Sequence, residues 1–392
     1  MTRILFMHQA SSVGGGSYCL LNIIKVLDRE RFEPVVVLQS NGPLVDELQK
    51  LGVEVVLFPQ MMAIPYNHAL TPLNMRIYLK MLFSLRPFAE LLKRINADIL
   101  YLNNMMIYPY LKVAKERGMK TVIHVREHWP LNEHVKQLGW ARKAVYTYAD
   151  KLIAINHYSS SMFPQKEATI VYDWIDMEDR YKPISMSDIF GEDMTDKKVL
   201  LYTGGFQQIK GSDYIVNAFS KGITGDEYRL LVLGADINKA LKGWRHQMRS
   251  FLSLFGYNYY ENNLRESIKT DSRIVCIPGV YELVDLVIQS YCFVSYFRIP
   301  HANLALAENI ILGNPCIAAD TEESREYSKD GQFAMLVKPN NPKEFATKLI
   351  SFLEEREKWK ESAQSGSKYL SELFNKDINI QKLNGALLAL VS

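Results

Sequence analysis

Short apolar runs alternate with longer amphipathic stretches along almost the whole chain. In the first half the runs fall at residues 4–8, 35–39, 53–58, 98–102, 121–125, 152–155 and 169–172. They are rich in β-branched residues, continuous rather than alternating, and bounded by Gly, Pro, Asn or Asp. Strands covered by helices on both faces of a parallel sheet read this way, because neither face is left polar. Between them the spacing predicts helices over 16–28, 43–51, 74–94, 110–117 and 133–148. Strand and helix in alternation imply right-handed βαβ crossovers and a doubly wound α/β sheet.

Residues 176–197 break the rhythm. Seven acidic residues, Pro183, Gly191 and little apolar periodicity predict a linker or long surface loop. The alternation then resumes, with strands expected at 199–203, 230–233, 274–277, 293–297, 316–319 and 335–337. The matching helices are expected at 212–220, 282–290, 304–312 and 342–355. This organisation predicts two Rossmann-like α/β domains, 1–178 and 179–375, facing each other across a cleft, with ligand at the carboxyl ends of the strands. Residues 237–270, where Tyr257, Tyr259 and Tyr260 cluster, are too long for an ordinary crossover and predict a helix plus a surface excursion. After a break at Asn375-Lys376-Asp377, residues 380–391 read as a last amphipathic helix.

Composition narrows the class. A chain of 392 residues with 48% hydrophobic and 23% charged residues is neither disordered nor collagen-like, and is long enough for two domains. Its 46 Lys+Arg against 43 Asp+Glu give only +3, too little for a nucleic-acid polycation, so no nucleic-acid partner is expected. Cys19, Cys276, Cys292 and Cys316 are scattered, with neither zinc half-site spacing nor a disulfide framework. Only Ile4-Leu5-Phe6-Met7 separates Met1-Thr2-Arg3 from His8, which is no signal peptide, and no run of about 18 apolar residues could span a bilayer. A cytoplasmic protein is expected.

Three loops carry candidate chemistry. The first, Ser11-Ser12-Val13-Gly14-Gly15-Gly16-Ser17, follows the first strand and opens a helix, where glycines let backbone amides approach an anion. Counting Gly-x-Gly-x-x-Gly from Gly14 puts Cys19 in the last slot, and the second strand ends in Gln39-Ser40-Asn41 without a ribose-binding acid. A dinucleotide fingerprint therefore fails, and no Gly-Lys-Ser/Thr makes a Walker loop. A simple tight turn is the alternative. The second loop, Tyr202-Thr203-Gly204-Gly205-Phe206-Gln207-Gln208-Ile209-Lys210-Gly211, lets Lys210 bring an ammonium to an oxyanion, or leaves it a solvated surface lysine. The third runs from Tyr296 to Asp320. A helix beginning near Asn303 should stop at Gly313, with Pro315 preventing its continuation. Its free amides around Ala302, Asn303 and Leu304 suit a phosphate. Glu308 would project a carboxylate among Leu304, Leu306, Ile310 and Ile311, where two sugar hydroxyls could serve as donors; a surface position is the alternative.

Taken together and in this order, the three loops resemble the retaining glycosyltransferases of the large bacterial family 4, with its GT-B architecture. The family pattern Gly-Arg-x-x-x-x-Lys-Gly is similar to Gly204 through Gly211, except that Gly205 stands where the arginine would be. Glu308 through Ala318 resembles the second glutamate and Gly-x-Pro tail of the family's late signature. Gly279-Val280, the 320–326 stretch and Asp330-Gly331 look like its later landmarks, and 170–176 like the turn before its linker. His124-Val125-Arg126-Glu127-His128 falls where the acceptor domain carries a His-containing loop.

The resemblance implies a nucleotide-diphosphate sugar bound mainly by the second domain and a glycan or lipid-linked acceptor held by the first. It suggests a role in cell-surface polysaccharide or lipopolysaccharide synthesis, with no metal and no other cofactor. Lys210, Glu308 and His128 would be catalytic. Gly204, Gly205, Lys210, Val280, His301, Ala302, Asn303, Leu304 and Glu308 would hold the donor, with Glu308 on the ribose hydroxyls. Gly15, Gly16, Arg126, Glu127 and Arg298 would contact acceptor or sugar. The last helix, about 376–392, would cross back onto the first domain. Two departures matter: the first signature glutamate falls on Pro300, beside His301, and the diphosphate arginine is Gly205. Either His301 and Arg298 cover these gaps, or the protein is a catalytically silent partner subunit that binds nucleotide sugar or glycan. Of the histidines, His124 or His128 is expected to face the cleft, with His8 the next candidate. Asp173 and Asp176 read as turn chemistry. Residues 74–94 mix Arg76, Lys80, Arg86, Lys93 and Arg94 with Ile, Leu, Met and Phe. They read either as a peripheral contact with an anionic membrane or as an ordinary crossover helix packed on the sheet.

Overall fold

The computed structural model describes residues 1–12, 14–64, 72–129, 135–237, 260–280 and 282–391. The β-branched runs pair in parallel into two sheets, each within its own compact unit. Unit 1 comprises Met1–Trp174 and Phe374–Ser392. Its strands are β1 (Thr2–His8), β2 (Phe32–Leu38), β3 (Glu54–Leu57), β4 (Ile99–Leu102), β5 (Lys120–Val125), β6 (Lys151–Ala154) and β7 (Ala168–Ile170). They lie in the order β3-β2-β1-β4-β5-β6-β7, every neighbouring pair parallel.

Alternate residues of these strands enter opposite cores, which is why the runs are apolar throughout. Ile4 and Phe6 pack with Val36, Leu38 and the inner face of helix Gly15–Val26, while Leu5 and Met7 pack with Val35, Val37 and helix Pro72–Ile95. Each such fully buried side chain contributes about 1.5–3 kcal/mol. Helix Lys376–Leu388, capped by the Asn375 side chain, adds Leu383, Ala386 and Leu387 to the first of these cores. Asn379 is buried and accepts the Tyr172 N–H at 2.9 Å, fixing that helix to the end of the sheet.

Unit 2 is Ile175–Leu373. Its strands β8 (Lys198–Tyr202), β9 (Tyr228–Leu233), β10 (Ile274–Ile277), β11 (Cys292–Val294), β12 (Cys316–Ala319) and β13 (Met335–Val337) follow the order β10-β9-β8-β11-β12-β13. Strand order reverses between β1 and β4 in unit 1 and between β8 and β11 in unit 2, the switch points beside which open α/β sheets hold ligands.

The structure departs from the sequence pattern in several places. The strand expected to reach 297 ends at Val294: the Ser295 N–H still donates to the Ile317 carbonyl at 2.9 Å, but the Arg298 N–H turns instead to the Ile209 carbonyl at 2.9 Å. The 176–197 stretch contains a short helix, Met186–Phe190, capped by Ser185 and closed by Gly191 in the left-handed region. Helix Arg356–Leu373 is too polar to show a periodic apolar stripe; it buries chiefly Ala363, Gly366 and Leu370, and Gly366 lets it lie against Phe333 and Ile310. Helix Tyr260–Lys269 lies in the long 237–270 region, whereas Tyr257, Tyr259 and the expected helix start at 133 lie outside the described residues.

Candidate functional site

In unit 2, β8 ends at Tyr202 and the chain turns through Thr203-Gly204-Gly205. Gly205 has φ +57°, and its N–H donates to the Leu233 carbonyl at 2.9 Å. A Cβ there would lie 2.4 Å from the Gly234 carbonyl oxygen. The position where the resemblance would put an arginine therefore accepts only glycine. The Ser212 hydroxyl donates to the Gly205 carbonyl at 2.7 Å and fixes the loop to helix Ser212–Gly222. Between them Gln208–Lys210 make a single 3₁₀ turn that carries Lys210.

Lys210 is half-buried, with its ammonium 6.0 Å from the centre of the Phe297 ring. That ring meets His301 edge-on at 5.5 Å. Burial lowers the Lys210 pKa, and burial followed by the Lys210 charge pushes His301 down to about 4. Among the described residues no carboxylate pairs with Lys210, so a desolvated ammonium and a neutral imidazole stand together, ready for an anion. Sequence reasoning named both residues but missed Phe297, the ring that neighbours each of them.

Helix Leu304–Ile311 follows. Its cap Asn303 accepts the Leu306 N–H at 3.3 Å and donates to the Ser295 hydroxyl at 3.0 Å, so the side chain is committed to the fold. The backbone N–H groups of Ala302, Asn303 and Leu304 donate to no described residue, and Gly313 at φ +71° ends the helix. Glu308 lies about 7.5 Å along the axis from the cap. It is buried, and its partner is the Arg180 guanidinium from the segment preceding β8, neither solvent nor the helix itself. Nothing in the sequence pattern singles out Arg180.

A cavity of about 560 Å³ opens at the carboxyl ends of β8, β9 and β10, lined by Phe206, Gln207, Gly234, Asp236, Arg265 and Gly279 among others. Val280 next to it is exposed. Arg298 is drawn away from Lys210 and His301: it pairs with Asp213 and stacks on Tyr214, 4.0 Å from the ring centre.

Unit 1 gathers a polar cluster at its own switch point. His8 ends β1, Asn103 follows β4, and Arg126 follows β5. Asn103 donates to His8 Nδ1 at 3.2 Å and to the Gly16 carbonyl at 3.2 Å, while His8 Nε2 lies 3.2 Å from the Ser17 hydroxyl. Arg126 donates to Asn103 at 3.1 Å and to His124 Nδ1 at 3.2 Å, and pairs with Asp173. Burial opposes the Arg126 charge most strongly, but Asp173, Cys19 and Tyr101 together outweigh it and hold the pKa above its ordinary value. Burial and then Arg126 push His8 down to about 3 and His124 well below its ordinary value, so both rings are neutral. Gly15 opens helix Gly15–Val26, and Gly16 sits against the His8 ring. Glu127 accepts the Met105 N–H at 2.7 Å; burial raises its pKa to about 7 against that bond.

Three expectations are corrected here. His124 and His128 are both fully buried, so neither faces open space. His128 stacks on Tyr158 at 5.5 Å, and its Nε2 lies 2.9 Å from the Ser159 hydroxyl and 3.1 Å from Asn156 Nδ2; its setting is that of a core histidine holding a helix cap, not a catalytic base. Asp173 is no turn residue but the counter-ion of Arg126, whereas Asp176 does accept the Asp179 N–H at 3.3 Å, as a turn residue would.

Helix Pro72–Ile95 buries Met81, Phe88, Leu91 and Leu92 and presents Met75, Leu79, Leu82 and Phe83 on its outer face. Leu82 and Phe83 are 62% and 79% exposed, and Arg76, Lys80 and Arg86 are exposed beside them. Trp140, also exposed, packs edge-on against Tyr78 at 5.6 Å. Among the described residues no helix is long and apolar enough to cross a membrane, and no three metal-ligating side chains cluster.

Residues 14–161 match the family described as Glycosyl transferase 4-like domain, and residues 197–355 match Glycosyl transferases group 1. None of the curated proteins compared with the chain matches it. Among solved structures, the chain is similar to Anabaena Alr3699/HepE in complex with UDP and glucose (TM-score 0.74, 17% identity, 99% of this chain and 99% of that one). It is also similar to a glycosyltransferase from Rickettsia africae ESF-5 (TM-score 0.72, 16% identity, 100% and 99%). A third is the lipopolysaccharide outer core galactosyltransferase WaaB in its apo form (TM-score 0.61, 16% identity, 99% and 99%). With one family match in each unit and a parallel α/β sheet in each, the chain belongs to the group 1, family 4-like glycosyltransferases of the GT-B fold.

Proposed function

We propose that the protein is a retaining glycosyltransferase that moves a sugar from a nucleotide-diphosphate donor held by unit 2 to a glycan or lipid-linked acceptor held by unit 1. The observation that carries this reading is the unpaired Lys210 ammonium beside His301 and the free amides that open helix Leu304–Ile311. The reaction breaks the bond between the anomeric carbon and the diphosphate, so negative charge grows on the leaving oxygens. Lys210, His301 and the helix amides would meet that charge without a metal ion, already oriented in a partly desolvated site. Glu308, less than two turns further along the helix, would accept the ribose hydroxyls, and the cavity bordered by Phe206 and Gly279 would take the base, with Val280 at its edge. The solved Anabaena protein is a complex with UDP and glucose, which makes uridine the first base to test.

In unit 1 the acceptor would meet the loop of Gly15 and Gly16 and the Arg126-Glu127 turn, where Asp173 and Asn103 fix Arg126 and Glu127 is the group that titrates near neutrality. The exposed Leu79-Leu82-Phe83 face with its arginines and lysine would rest on an anionic membrane surface that carries a lipid-linked acceptor, in cell-surface polysaccharide or lipopolysaccharide synthesis on the cytoplasmic side. A second reading, a silent subunit that binds nucleotide sugar without turning it over, is favoured by Gly205 and Pro300, which remove two charged side chains from the donor site. A transfer and hydrolysis assay over UDP-, GDP- and dTDP-sugars separates the two. Turnover with one donor, lost in Lys210→Ala, supports the transferase; tight nucleotide binding with no turnover of any donor supports the silent subunit.

A further inference from the structure

The Glu308 carboxylate has two oxygens, and the structure treats them differently. Oε1 is the buried oxygen and lies in ion-pair contact with the Arg180 guanidinium, and neither oxygen accepts a hydrogen bond from a described residue. Beside the pair lies a small gap that both residues line together with Met177, Leu283, Val284, Val287 and Leu312, apolar and too small for a water molecule. Glu308 therefore has no alternative donor on that side, and without Arg180 its charge would be stranded in an apolar wall.

Arg180 is itself held. Its side chain is 12% exposed, and its carbonyl accepts the Val284 N–H at 3.2 Å. Four residues on, the Ile184 N–H donates to the Asp285 carboxylate at 2.7 Å, and the Gln289 side chain donates to the Ile184 carbonyl at 2.8 Å. The connecting segment is thus stitched along helix Val284–Gln289, and the guanidinium is presented to Glu308 from a fixed backbone.

We propose that Arg180 is the positioning residue for Glu308: it engages one carboxylate oxygen, holds the group in one orientation, and leaves the other oxygen for the ribose hydroxyls of the nucleotide. The proposal rests on the donor-site reading above. A guanidinium fork fixes both charge and rotamer, which a point charge does less well.

The test is calorimetric binding of UDP and 2′-deoxy-UDP to the full chain, for wild type, Arg180→Ala, Arg180→Lys and Glu308→Ala, with thermal melting of each. A hydrogen bond to a charged acceptor sets a discrimination of about 10–100-fold against the deoxy nucleotide in the wild type. Arg180→Ala is expected to bring the two affinities within about threefold, through loss of UDP binding while 2′-deoxy-UDP binding is kept, and Arg180→Lys to restore part of the gap. Should Arg180→Ala prove too unstable to measure, Arg180→Lys carries the test, since a smaller gap at unchanged melting is still required. Wild-type discrimination retained in Arg180→Lys and in any folded Arg180→Ala, or tighter UDP binding in either, overturns the positioning role. If Glu308→Ala keeps the discrimination, the donor-site reading of Glu308 fails instead.

Discussion

Restoring the arginine that the resemblance would place at position 205 should damage the protein instead of improving it. The residue sits at φ +57°, where a side chain costs about 1–2 kcal/mol in backbone strain. Its Cβ would lie 2.4 Å from the Gly234 carbonyl oxygen, well inside the 3.0 Å that real Cβ atoms respect. Relief requires the loop after β9 to retreat or the hydrogen bond from Gly205 N–H to the Leu233 carbonyl to lengthen, which adds about 1 kcal/mol. Gly205→Ala should therefore cost about 2–3 kcal/mol, close to 4–12 °C in the melting of a unit this size. Gly205→Arg should cost at least as much. Differential scanning calorimetry of both variants, with UDP binding alongside, reads the effect. An alanine variant within about 0.5 kcal/mol of wild type, or an arginine variant that melts normally and binds UDP more tightly, would refute the argument that the backbone forbids a side chain here.

Other consequences are as direct. His8 and His124 are buried neutral, with folded pKa values below the unfolded 6.5, so the stability they carry is full above pH 6.5 and is lost as pH falls toward about 3 for His8. Each should cost about 1.4 kcal/mol per pH unit below 6.5, and His8→Gln should flatten part of that fall; a variant that tracks wild type from pH 7 to 4.5 contradicts the linkage. Leu82→Ser with Phe83→Ser should abolish sedimentation with vesicles rich in anionic lipid while melting stays within 2 °C or so, since both side chains are exposed; undiminished vesicle binding sinks the membrane role. Lys210→Ala should weaken UDP binding by about 10–100-fold and UMP binding far less, because the ammonium is assigned to the diphosphate.

The parallel sheets were legible in the sequence because strands covered on both faces must be apolar at every position, as in Ile4 through Met7, where alternate residues feed two cores. Helix Arg356–Leu373 escaped because its packing depends on Ala363, Gly366 and Leu370 and leaves no wide apolar stripe. The loop after β8 was readable from glycine spacing and from Lys210, since backbone approach and a local charge are short-range properties. What pairs with what was not readable. Arg180 and Glu308, or Arg126 and Asp173, meet only after distant segments converge, and spacing carries no signal of that. For the same reason His128 read as a candidate base, because burial is a tertiary property.

The account stands on Lys210 and Glu308 acting on one nucleotide diphosphate. The most direct measurement is UDP affinity in wild type, Lys210→Ala, Glu308→Ala and the double variant, with UMP and 2′-deoxy-UDP as controls. Both single variants should lose UDP affinity, Lys210→Ala through the second phosphate and Glu308→Ala through the 2′-hydroxyl, and the double variant should lose both. Wild-type affinity in either variant, or a Lys210 loss equally large for UMP, would contradict it.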